Sequence, residues 1–157
     1  MIQRVYIDTS VIGGCFDPEF EEWSNKLFDD FMAGRRIAVI SDITLDELED
    51  APERVRENFN TIPDKSLEIL TSDTESRELA EKYLLENVVT ARFFEDALHI
   101  AISTLHQVNV VASWNFKHIV NLDKIRQYNS VNLKYGYSMI EIRTPREILK
   151  FDDDENG

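Results

Sequence analysis

Short runs of apolar and β-branched residues recur along this chain, and nearly every one is followed by a segment long enough for a helix. Residues 3–7, 36–40, 67–70, 108–112 and 138–142 read as strands. They are nearly continuous in Val, Ile and Leu instead of alternating with polar residues, which is the pattern of strands buried on both faces. Buried strands separated by helix-length connections cannot be joined as hairpins. They predict an α/β class, a three-layer α/β/α arrangement around a central, mainly parallel sheet.

The connecting segments carry helical periodicity. Within residues 20–33, Trp23, Leu27, Phe28, Phe31 and Met32 recur at helical spacing, and Gly34 supplies a stop. Ser41 or Asp42 caps a helix containing Leu45 and Leu48, and Pro52 fits the first turn of another. A helix follows from Thr74, the strongest helical pattern covers 92–107, and a further helix is predicted over 117–128. Thr144-Pro145-Arg146-Glu147 opens a last helix with a capping box. There is no internal repeat and no linker, so residues 1–150 are predicted to form one domain. Residues 151–157, rich in Asp and Glu, are expected to be a disordered acidic tail.

A chain of 157 residues with 43% hydrophobic content is long enough to bury a real core. No apolar run approaches a membrane span and no leader pattern precedes the first strand, which makes a soluble cytoplasmic protein the expectation. The single Cys15 excludes an internal disulfide framework and a Cys-rich zinc site. The formal charge of −13 argues against a broad phosphate-gripping surface and suits a basic protein partner.

In open parallel sheets ligands bind beyond the carboxyl ends of the strands. The first strand, Val5-Tyr6-Ile7, ends in Asp8, followed by Thr9 and Ser10. Taken alone, such an Asp is a turn residue that caps the next segment. The second strand leads to Glu47, and the fourth to Ser113, Trp114 and Asn115. On the helix at 92–107, Arg92, Asp96, His99 and Ser103 share a stripe beside the apolar face. Carboxylates drawn from distant segments into one pocket need protons or cations to neutralise them. A set of oxygen donors suits Mg²⁺ or Mn²⁺ better than zinc.

Four stretches together, YIDTSVI, SDITLDEL, FFEDALHIAIS and VVASWNFKHI, resemble the PIN domain family and its VapC-like branch, in the family's order and over residues 3–145. The resemblance implies a metal-dependent endoribonuclease, with the toxin of a type II toxin–antitoxin pair as a specific form. By this resemblance Asp8, Glu47 and Asp96 would be the catalytic, metal-holding acids, with Mg²⁺ or Mn²⁺ as cofactor. Ser10 matches a supporting hydroxyl. Ser113-Trp114-Asn115 stands where the family commonly shows Thr-x-Asp, so Asn115 would be a fourth metal ligand that brings no charge. The partners implied are an RNA substrate, a basic antitoxin and a second copy in a homodimer.

Other side chains read both ways. Arg92 meets either Asp96 as an ion pair, the safer expectation, or a substrate phosphate. Trp114 packs a loop over the sheet or stacks on a base, and Lys117 with His118 is the best local basic group. His99 is expected to be a satisfied structural histidine. Two other functions compete with the nuclease. One is a PIN-fold module that binds nucleic acid or protein with little or no cleavage. The other is a haloacid dehalogenase-type phosphatase, which usually wants a second Asp where Ser10 stands.

Overall fold

The structure, a computed structural model, describes residues 1–156, with side chains described through Lys150. Five strands form one all-parallel sheet: β1 (Gln3–Ile7), β2 (Arg36–Ser41), β3 (Leu67–Leu70), β4 (Val110–Ala112) and β5 (Ile142–Arg143). Their order is β3-β2-β1-β4-β5. The chain winds outward one way from β1 to β3, then crosses back to place β4 on the other side of β1. The crevice between β1 and β4 is therefore the topological switch point.

Among the described residues eight helices flank this sheet: α1 (Thr9–Gly14), α2 (Glu21–Ala33), α3 (Asp42–Glu49), α4 (Glu53–Phe59), α5 (Thr74–Leu85), α6 (Phe94–Leu105), α7 (Leu122–Lys134) and α8 (Pro145–Asn156). Alternation along each strand sorts them into two layers. Tyr6, Val39 and Val111 point into a core made with α5, α6 and α7. Val5, Ile7, Ala38, Ile40, Val110 and Ala112 point into a second core made with α1, α2, α4 and α8. α3 joins them at the sheet edge, giving Ile43 to the first core and Leu48 to the second. Gly34 ends α2 in the left-handed region, φ +76°, where a side chain would be strained.

The three-layer, parallel arrangement is as expected from the sequence. Its details differ where side chains take over backbone pairing. The last strand is not 138–142 but only Ile142–Arg143. Both polar groups of the Ile140 peptide bond to the Asn129 side chain, N–H to Oδ1 at 2.7 Å and C=O from Nδ2 at 3.0 Å, which takes Ile140 out of the ladder. The fourth strand starts at Val110, because the Val108 N–H turns back to Ser103. α7 starts at Leu122, not near 117, since Asn121 caps it by accepting from Lys124 N–H at 2.9 Å. Pro52 precedes α4 instead of lying in its first turn. The acidic tail expected at 151–157 lies outside the described side chains. Among the described residues no helix is long and apolar enough to cross a membrane.

Candidate active site

Asp8 follows β1 directly and is 5% exposed. Its carboxylate caps α1 by accepting from Val11 N–H at 3.2 Å, so the turn-cap reading holds. It does more than cap. Oδ1 also accepts from the Ser10 hydroxyl at 2.5 Å, and Oδ2 accepts from the Ser113 hydroxyl at 2.6 Å. Ser10 Oγ in turn accepts from Trp114 N–H at 2.9 Å, and Ser113 Oγ from Asn115 N–H at 2.9 Å. Ser10 and Ser113 thus stitch the end of β1 to the loop after β4, across the switch point. The fit is close: a Cβ added to Gly14 would lie 2.6 Å from Ser24 Oγ and 2.9 Å from Trp114 Nε1.

Glu47, on α3, is held on both carboxylate oxygens. Thr9 donates its hydroxyl to Oε2, and His99 Nε2 donates to Oε1 at 2.8 Å. His99 lies on α6 and is 1% exposed. Its Nδ1 shares a hydrogen bond of 2.5 Å with the Tyr6 hydroxyl, which lies 2.7 Å from Ser41 Oγ. A chain of contacts therefore runs from Ser41 through Tyr6 and His99 to Glu47. His99 is the satisfied structural histidine that the sequence pointed to, and its partner is a candidate site residue. Sequence reasoning missed Tyr6 and Thr9. Tyr6 carried a usable signal, since a buried tyrosine needs a partner for its hydroxyl.

Asp96 stands in the first turn of α6, half-buried. Asn115 lies near enough to help lower the Asp96 carboxyl, while Asn115 Oδ1 accepts from His118 N–H at 3.0 Å. Asn115 thereby closes the turn that carries the chain from β4 toward α7. Trp114 is 8% exposed, stacked on Phe20 at 4.4 Å, and donates Nε1–H to Ser24 at 2.8 Å. Its ring is committed to packing, the loop-covering alternative of the two readings. The expected Arg92–Asp96 ion pair is absent among the described residues. Arg92 is exposed and its guanidinium lies 5.6 Å from the centre of the Phe93 ring. Lys117 is exposed.

No family model matches the sequence, and no curated protein matches it at a significant level. Solved structures do. The toxin VapC20 of Mycobacterium tuberculosis, described as cleaving the sarcin–ricin loop, superposes with a TM-score of 0.55 at 13% identity, over 73% of this chain and 92% of that one. FitAcB of Neisseria gonorrhoeae gives 0.54 at 14% identity, over 90% and 97%. VapBC2 of Rickettsia felis, bound to a DNA fragment from its promoter, gives 0.55 at 12% identity, over 90% and 98%. The chain has a VapC-like PIN domain fold.

In this PIN fold, Asp8, Glu47 and Asp96 project from β1, α3 and α6 around the carboxyl end of β1. Asp96 feels the charges of the other two. Burial pushes the Asp96 carboxyl up to about 6; the His99 charge opposes that, and the charges of Asp8 and Glu47 add to it. Burial also raises Asp8, against the hydrogen bonds from Ser10 and Ser113 and the nearby His99. Burial works on Glu47 in the same direction, but the hydrogen bond and charge of His99, with Thr9, hold it below the usual range. Burial would lower His99; Tyr6, Glu47 and Asp8 together hold it well above its ordinary value. Three carboxylates thus gather around the His99 ring. Among the described residues no group of three or more His, Cys, Asp or Glu side chains is arranged so that it could hold a metal ion.

Proposed function

We propose that this PIN-fold chain is a Mg²⁺- or Mn²⁺-dependent endoribonuclease, with the toxin half of a toxin–antitoxin pair as its specific form. The observation that carries the reading is the gathering of Asp8, Glu47 and Asp96 at the carboxyl end of β1, where burial, with the charges of Asp8 and Glu47 added to it, lifts Asp96 to about 6. Three carboxylates with one histidine between them gain most from a bound cation. Their donors are all oxygens, which fits a hard divalent ion. Mg²⁺ keeps several waters and is commonly held by one or two carboxylates together with substrate phosphate.

In this reading Asp96 and Asp8 hold the ion and Glu47, fixed by Thr9 and His99, completes the acidic set. Ser10 and Ser113 fix the rotamer of Asp8. Asn115 helps lower the Asp96 carboxyl. A bound ion would supply activation of water and stabilisation of a phosphoryl oxygen. The net charge of −13 favours a basic antitoxin as protein partner. The neighbour VapC20, described as a toxin that cleaves the sarcin–ricin loop, lends support to the toxin form. The phosphatase reading finds no support, since the Ser10 hydroxyl is spent on Asp8 and Trp114.

The test is cleavage of a mixed-sequence single-stranded RNA by purified protein. Cleavage in Mg²⁺ or Mn²⁺ that is abolished by chelator is expected. Binding of that RNA without cleavage in either metal would favour the second reading, a binding module, for which the uncharged Asn115 speaks.

A further inference from the structure

Beside the acidic pocket lies a second, oppositely charged feature. Two open cavities of about 460 and 420 Å³ share Ala91 and Phe93. The first is bounded by Asp96 and Glu95 at one end and by Arg92. The second continues from Phe93 to His118 and Lys124. A ligand that extends from Asp96 across both cavities meets Arg92 and Phe93 in the first and His118 in the second. The Phe93 and His118 rings are stacked, centres 3.7 Å apart and planes 27° apart. Arg92 and Lys117 are exposed, and neither has an ion-pair partner among the described residues. Three cations converge here: His118 is held below its ordinary value by burial and by the charges of Lys117, Lys124 and Arg92. Such a concentration is unusual in a chain with 17 Lys and Arg against 30 Asp and Glu.

We propose that the strip Arg92–Phe93–His118–Lys117 is the track for the nucleotide next to the one at Asp96, with Arg92 and Lys117 on backbone phosphates and the Phe93–His118 pair as a stacking platform for an unpaired base. Cations and a ring platform in alternation are what a single strand offers contacts to: charge at each phosphate and a π-face at each base. An acidic peptide would use the cations but leave the rings without a partner. A duplex would hide its base faces. The net negative charge then has a use. It repels nucleic acid from the rest of the surface and leaves one local strip, beside the acidic pocket, as the landing place.

This proposal rests on the nuclease reading for its direction but not for its test, which is made without metal. The full chain is titrated with a fluorescent single-stranded RNA oligonucleotide in chelator, over a series of salt concentrations. Arg92→Ala and Lys117→Ala should each weaken binding about fivefold and lower the salt slope of log affinity by about 0.7. Phe93→Leu should weaken binding about tenfold with the slope unchanged, and Phe93→Trp should restore it. Lys65→Ala, before β3 at the amino edge of the sheet, should change nothing. Melting curves exclude misfolding of Phe93→Leu, and the two charge variants test the strip independently of it.

Wild-type protein that binds no RNA, or Arg92 and Lys117 variants that bind as well as wild type, would overturn the track. So would loss of poly-glutamate binding, but not of RNA binding, in those variants, which would mark the strip as a protein contact. The two readings fail separately. RNA bound through the strip but never cut in Mg²⁺ or Mn²⁺ removes the nuclease and keeps the track. Cutting that is indifferent to Arg92 and Lys117 does the reverse.

Discussion

The two ends of the sheet treat their acids differently. At the amino edge two carboxylates, Glu68 and Asp30, are paired with guanidinium groups. Glu68 on β3 accepts both Nε–H and Nη2–H of Arg4 on β1, at 2.8 and 2.7 Å. Asp30, 8% exposed, accepts from Arg35 at 2.7 Å and from Arg36 at the start of β2. At the carboxyl edge Asp8, Glu47 and Asp96 have hydroxyls, amides and one imidazole, but among the described residues no Lys or Arg. Paired acids make structure, because a bidentate guanidinium satisfies both their charge and their lone pairs. Acids gathered without such partners cost stability, and that cost is typical of a site that waits for a ligand.

The largest expected consequence falls on activity. Asp96→Asn should lower RNA cleavage about 100-fold or more, because it takes charge from the set that would hold the ion. Asp30→Asn, the amino-edge counterpart, should leave the specific activity of folded protein within about twofold. Cleavage measured under single-turnover conditions distinguishes them. Equal losses in the two variants would erase the functional contrast between the edges.

Stability should show the opposite ranking. Asp30→Ala removes a carboxylate to which Arg35 and Arg36, the latter 7% exposed, both donate, and should cost about 1–3 kcal/mol of unfolding free energy in denaturant titration. Asp96→Ala in chelator should cost little or even stabilise, since it relieves repulsion. If both alanine variants lose stability alike, the carboxyl-edge acids are structural.

Much of this contrast was legible in the sequence, but unevenly. The alternation of buried strands with helical segments sufficed for the parallel three-layer fold, because burial on both faces leaves a strong mark on composition. The rule that ligands bind beyond the carboxyl ends of parallel strands sufficed to put Asp8, Glu47 and Asn115 at one edge of the sheet. Asp96 and His99 were visible as neighbours on one stripe of a helix. What could not be read were contacts made by single side chains across sequence distance. Asn129 replacing a strand ladder at Ile140, Tyr6 reaching His99, and Arg92 turning to Phe93 instead of Asp96 are all of this kind. Each is decided by packing geometry, which local pattern does not encode. The paired acids of the amino edge were equally hidden, since Asp30 and Glu68 look like any other solvated carboxylate in a chain with 30 of them.

Acidity offers a smaller, sharper measure. The Asp96 carboxyl sits at about 6 in the folded chain against an ordinary 3.8. A group raised on folding contributes stability that is fully present below its unfolded value and is lost as pH rises through its folded value. Metal-free wild type should therefore lose about 1–2 kcal/mol relative to Asp96→Asn between pH 4 and pH 7. Chemical denaturation of both proteins in chelator across that range gives the difference. Parallel profiles would mean that neither burial nor its neighbours raise the Asp96 carboxyl.

The smallest expected effect tests the one departure from an all-acid edge. Asn115 uses Oδ1 to accept from His118 N–H and lies near Asp96. Asn115→Asp keeps an acceptor for His118, so the turn should survive. It puts a second negative charge near Asp96. In chelator at pH 7 this should cost about 0.5–1 kcal/mol, because the repulsion acts in a half-open pocket where water screens it. Mn²⁺ should more than restore the loss, since an ion that binds only the folded state stabilises it in proportion to its affinity. Cleavage should be kept or raised. Paired melting curves with and without Mn²⁺ read the balance directly. If Asn115→Asp and wild type respond to Mn²⁺ equally, residue 115 is a turn closer alone, and the ion is held without it.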